Sequence, residues 1–122
     1  MRFFSDCEIA AKLIIPSIRA GVAIVLLERG YTLSSVGRLL GLSTAAVHHY
    51  KRRKRGFLLV DRLLEDREYR SRLERIADMM IEGIGNPYIE ERVSQEICRL
   101  CKRFREREQI ASVYGKGALI QG

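Results

Sequence analysis

Residues 33–52, Leu-Ser-Ser-Val-Gly-Arg-Leu-Leu-Gly-Leu-Ser-Thr-Ala-Ala-Val-His-His-Tyr-Lys-Arg, constrain the fold more tightly than any other part of the chain. Two short helices joined by a tight turn need three things. A small residue must stand where the helices approach, a glycine must take positive φ in the turn, and apolar residues must hold both helices against a third. Gly37 meets the first need and Gly41 the second, while Val36, Leu40, Leu42, Val47 and Tyr50 meet the third. Gly37 is the weakest member of this set, because alanine is more usual there and glycine costs helix stability. Thr32 and Ser43 are the candidate caps for two short helices over 32–40 and 43–53.

The remainder carries the same helical period, with no hairpin signature, no alternating strand pattern and no repeat. Residues 6–29 read as a helix that Asp6 caps, Pro16 kinks or divides, and Gly30 ends. This segment is apolar on most sides and is expected at the centre of the core. A short apolar stretch, Phe57 to Val60, precedes a charged helix expected over 61–82, with Leu73, Ile76, Ala77, Met80 and Ile84 at helical spacing. Gly83, Gly85, Asn86 and Pro87 break the pattern. A last helix over 88–108 carries the stripe Ile89, Val93, Ile97, Leu100 and Phe104. The tail 113–122 contains three glycines and is expected to be loose.

Charge points to a partner. The chain has 22 basic and 15 acidic residues, a net charge of +7, and 17 of the basic residues are arginine. Such a balance favours a polyanion, and arginine suits bidentate contacts to phosphate and guanine. The apolar stretch from Ile9 to Leu27 is interrupted by Lys12 and Arg19, and the first residues lack a signal-peptide layout. A membrane or secreted protein is therefore not expected, and a cytoplasmic one is.

The second short helix is expected to serve as a recognition helix in the major groove of double-stranded DNA, presenting Ser43, Thr44, Ala45, His48, His49 and Arg52. Ser43 and Thr44 stand at the helix start, where hydroxyl and free N–H groups favour a phosphate or a base edge. Ala45 and the Thr44 methyl suit thymine methyls. His48 and His49 either donate to base acceptors or remain solvated surface residues. Lys51, Arg53, Lys54 and Arg55 extend past the helix and suit phosphates. One such helix covers about half an operator, so a homodimer is expected, its surface built from the helices of residues 61–108. Two other classes compete: a protein-interaction or antitoxin-like module, and an RNA-binding protein using the basic run. No nucleophile–base pair, paired carboxylates or phosphate loop stands out, so enzyme activity and a small-molecule substrate are not expected.

The arrangement resembles a family of archaeal transcriptional regulators with a helix-turn-helix of the phage-repressor (XRE-like) type. The match runs through Cys7-Glu8, Ile15-Pro16-Ser17-Ile18-Arg19 and Val36-Gly37-Arg38-Leu39-Leu40-Gly41-Leu42. It continues through Ala45-Ala46-Val47, Lys54-Arg55-Gly56 and Ile97-Cys98-Arg99-Leu100-Cys101, and covers most of residues 5–110. The residues and the resemblance together lead to the expectation of an all-α protein: a phage-repressor-like helix-turn-helix domain over 1–56, a helical dimerisation and sensor region over 57–112 and a flexible tail over 113–122. It implies sequence-specific DNA binding. It also implies a metal or iron–sulfur site sensing redox state or iron, because Cys7, Cys98 and Cys101 match three of the family's cysteine positions. The family's fourth cysteine falls here on Ala111, which leaves a four-thiolate site incomplete.

The three cysteines have their own chemistry. Cys98 and Cys101 are spaced C-x-x-C, so on a helix both sulfurs share a face and can reach one metal. Cys101 falls at the edge of the last helix's apolar stripe, and Cys98 about 140° from its centre. Cys7 sits at a helix start, where the dipole favours thiolate. Zinc and iron–sulfur clusters both usually take four ligands. Either a fourth ligand comes from a carboxylate, water, small molecule or second subunit, or the three are reduced thiols. Within the metal reading, the iron–sulfur cluster is preferred over zinc on the resemblance alone.

Overall fold

The computed structural model describes residues 10–52 and 58–108. Asp6, Cys7, Arg53, Lys54, Arg55, the 56/57 boundary, Ala111 and the tail 113–122 lie outside the described residues. Every described element is helical, and no strand occurs among the described residues. A π-helical turn, Ala10–Ile14, runs directly into α1, Ile15–Glu28. The discontinuity expected at Pro16 is thus a change of helix type just before it. Pro16 falls in the first turn of α1, and its missing N–H coincides with the change of helix type. The Ser17 hydroxyl donates to the Leu13 carbonyl at 2.6 Å across the junction.

α1 is the axle of the molecule: it packs against all five other helices. Ile18 and every residue from Ala20 to Leu26 are buried on it, as its nearly all-round apolarity requires. α2 spans Leu33–Leu40 and α3 Thr44–Arg52. α4 spans Leu58–Glu65, α5 Arg67–Glu82 and α6 Pro87–Glu108. One buried cluster joins Ile18, Val22 and Leu26 of α1 to Val36, Leu40 and Val47 of α2 and α3, and to Leu63, Leu73, Leu100 and Phe104 of α4 to α6. Full burial of each such side chain stabilises by about 1.5–3 kcal/mol.

The single helix expected over 61–82 is two helices. The first begins by Leu58, and the chain breaks at Asp66, which is extended at φ −77° and ψ 131°. Its carboxylate accepts the Tyr69 N–H at 3.1 Å, capping α5. Ile84 also departs from its expected stripe. α5 ends at Glu82, and Ile84 sits 70% exposed in the turn before α6. Close contact requires glycine in this turn, since a Cβ on Gly83 would collide with Ile89. Asn86 then caps α6 by accepting the Tyr88 N–H at 3.0 Å.

The α4–α5 junction is latched to the last turns of α6. Buried Tyr69 donates its hydroxyl to Glu108 at 2.7 Å and packs tilted, at 53°, against Phe104 with ring centroids 5.0 Å apart. The Arg107 guanidinium lies 4.7 Å over the Tyr69 ring and reaches Asp66 at 2.7 Å, while Arg62 bonds Glu108 at 3.0 Å. The Arg107 hydrogen bond holds the Asp66 carboxyl far below its usual range, and the bond from Arg62 lowers Glu108. Burial, then the bond to Glu108, pushes the Tyr69 phenol upward.

Candidate nucleic-acid interface

The α2–turn–α3 unit is assembled by local chemistry. The Thr32 hydroxyl accepts the Ser35 N–H at 3.1 Å, and the Ser43 hydroxyl accepts the Ala46 N–H at 3.1 Å, so both expected caps are made. Gly41 is left-handed at φ 67° and ψ 34°, the conformation that ends α2. The Leu42 N–H returns to the Gly37 carbonyl at 2.8 Å. Gly37, the weak member of the sequence pattern, has a structural reason: it is buried where the chain after the turn folds back over α2.

Val47 is wholly buried and Tyr50 half-buried, so α3 is pinned by one side to the core. Ser43, Thr44, Ala45, His48, His49, Lys51 and Arg52 are all exposed. Ala45, His48, His49 and Arg52 line a shallow concavity on the outer side of the helix. Of the expected recognition residues, Ala45, His48, His49 and Arg52 therefore share one exposed surface, and Ser43 and Thr44 are exposed at the helix start. Arg53, Lys54 and Arg55 continue the sequence outside the described residues.

Two features escaped the sequence reading. The first is Arg19, whose guanidinium donates to the Leu40 carbonyl from α1. A cation there satisfies an end carbonyl and complements the negative end of α2, and it ties the turn before α3 to the central helix. The second is the distribution of charge. Residues 29–60 contain seven basic and no acidic side chains, and the rest of the chain carries 15 of each. The whole net charge thus resides in the stretch that builds α2 and α3. Among the described residues, ion pairs engage Arg62, Arg70, Arg72, Arg99, Arg103 and Arg107 of α4 to α6, together with Arg29, whereas Arg38, Lys51 and Arg52 of α2 and α3 enter none of these pairs. A count of charges along the sequence would have found the acid-free stretch. Arg19 needed the tertiary structure.

The cysteines are divided by α6. Cys101 is 4% exposed within the core, and Cys98 is exposed on the rim of a depression lined by Ile15, Arg19 and Ile97. Among the described residues no group of three or more His, Cys, Asp or Glu side chains is arranged to hold a metal ion. Cys7 lies outside them, so the described part of the chain does not complete the ligand set that a cluster needs. No helix among the described residues is long and apolar enough to cross a membrane. In comparisons with known proteins, no family model, no curated protein and no solved structure matches the chain.

Proposed function

We propose that the protein is a sequence-specific DNA-binding transcriptional regulator that acts as a dimer, with α2 and α3 as a helix-turn-helix of the phage-repressor type and α3 as its recognition helix. The observation that carries this reading is electrostatic. The full +7 charge lies in residues 29–60, and α3 projects hydroxyl, imidazole and cationic groups with no carboxylate among them. A surface that is basic, acid-free and carried on a helix pinned by its opposite side suits a phosphate backbone flanking readable base edges. The balanced ion pairs of α4 to α6 make that half a scaffold rather than a second polyanion surface. Ser43 keeps its hydroxyl hydrogen available to a phosphate while its oxygen caps the helix.

Selection of binding sites from random duplex DNA, followed by titration of the enriched sequence and a scrambled control across salt, tests the reading. The expected result is an enriched motif bound at least about a thousandfold more tightly than the control, with affinity falling steeply as salt rises. Failure to enrich any motif, or equal binding of single-stranded RNA, removes it.

A further inference from the structure

The apolar groove between α2 and the α5–α6 turn has the make-up of a two-fold interface, and we infer that its occupant is a second copy of this chain. This deepens the dimeric part of the reading above and is independent of the DNA part. Three adjoining depressions share Leu39 and join into one groove, with Leu39 and Arg38 on the α2 wall and Met80, Ile84, Ile89 and Val93 on the other. Three large hydrophobic side chains are exposed among the described residues, Tyr31 at 37%, Ile84 at 70% and Tyr88 at 79%, and two of them, Tyr31 and Ile84, stand at this groove. Tyr88 directly precedes the lining residue Ile89. Turn tips ordinarily carry polar residues, and contiguous exposed apolar surface of this kind marks an interaction site.

Charge selects the occupant. Arg38 stands on the α2 wall, in the acid-free part of the chain, and Glu90 on the α6 wall. Neither side chain makes an ion pair among the described residues. Each wall therefore offers the charge the other lacks, while the groove floor is apolar. A surface that complements itself is the requirement of an isologous two-fold contact: Arg38 of one protomer meets Glu90 of the partner subunit, and the same pair forms again on the other side of the axis. Ile84 from each copy then fills the apolar floor of the other. The lining includes no residue of α3, so α3 stays exposed in the pair.

Sedimentation equilibrium of the full chain without DNA decides the matter. The wild type is expected at twice the 14.0 kDa chain mass at micromolar concentration. Ile84→Asp is expected to be monomeric with an unchanged helical circular-dichroism spectrum. Arg38→Glu and Glu90→Arg are each expected to weaken the dimer about tenfold or more, and the double exchange to restore it. The two charge variants lie at exposed positions, so the cycle decides even if Ile84→Asp is unstable. A monomeric wild type, a dimer indifferent to Ile84→Asp, or a double exchange that does not restore association overturns the inference. A wild-type monomer that still binds DNA with a steep salt dependence overturns this surface and leaves the α3 reading standing. A dimer of the expected behaviour with no DNA affinity does the reverse.

Discussion

A Cβ placed on Gly37 would stand 2.7 Å from the backbone carbonyl oxygen of Leu42. Real Cβ atoms do not approach an oxygen so closely, and a backbone oxygen in a glycine turn has little room to retreat. Gly37→Ala gains about 1 kcal/mol of helix propensity but incurs about 1–3 kcal/mol of overpacking. The two effects net to a loss of about 0–2 kcal/mol, and the variant is expected to be less stable than wild type by about 1 kcal/mol, the middle of that range, in urea denaturation. Equal or higher stability would mean that α2 and the turn approach less closely than described.

On α3, Thr44→Ala and His48→Ala are expected to weaken binding to the enriched DNA sequence by about 1–3 kcal/mol each, with little effect on scrambled DNA. Arg53→Ala and Lys54→Ala are expected to weaken both alike and to reduce the salt slope by about one. Titration by fluorescence anisotropy at several salt concentrations separates the two classes. If Thr44, His48 and Arg52 can all be replaced without loss, α3 does not read bases.

The contrast between the α6 cysteines is expected to show as reactivity. In the folded protein Cys98, exposed, reacts quickly with a thiol reagent, and Cys101, in the core, only when the protein opens. Mass spectrometry of protein labelled for graded times, with and without denaturant, resolves them. Anaerobic purification followed by iron, zinc and sulfide analysis bears on the site implied by Cys7, Cys98 and Cys101. If the three share a metal, each change to Ser removes it to a similar degree. Independent titration of three thiols with no stoichiometric metal counts against the cluster.

Acid is expected to loosen the latch between α4, α5 and α6. Hydrogen bonds from Arg107, Arg103 and Arg62 hold Asp66, Glu68 and Glu108 below their ordinary values. For Glu74, burial acts upward but the bonds from Arg29 and Arg70 outweigh it. A carboxylate whose folded pKa is depressed stabilises the fold above its unfolded pKa, and that stability is lost as pH falls through the folded value. The melting temperature should therefore hold near neutrality and fall progressively below about pH 4, where unfolded carboxylates begin to protonate. The drop should shrink only in part in high salt, because these carboxylates are half-buried and salt screens such pairs less than fully exposed ones. A melting temperature that does not change on acidification rules out the latch as a source of stability.

Much of the architecture was legible before any coordinates. Glycine conformation and side-chain capping are local properties, so Gly41, Thr32 and Ser43 could be read from their own short segments. The α6 stripe of Val93, Leu100 and Phe104 was legible because helical period and burial coincide along it. The break at Asp66 was masked by helix-forming neighbours on both sides. Its signal was present, an aspartate three residues before Tyr69 with Glu68 between them, but the competing reading of one long helix differs by little in local propensity.

By itself the sequence determined the helical class, the central place of α1, the glycine turn and the confinement of net charge to residues 29–60, because each follows from local conformation, period or composition. Only the tertiary structure decided what depends on residues far apart in the chain. It placed Arg19 of α1 on the last carbonyl of α2 and brought the Leu42 carbonyl so close to Gly37 that a Cβ there would be crowded. It left Ile84 exposed in the turn after α5, and set Arg38 and Glu90 on facing walls of one groove. The physical reason is that periodicity specifies which side of a helix is apolar, whereas the close approach of two helices determines which of those apolar and charged groups find partners within the chain and which are left for another molecule.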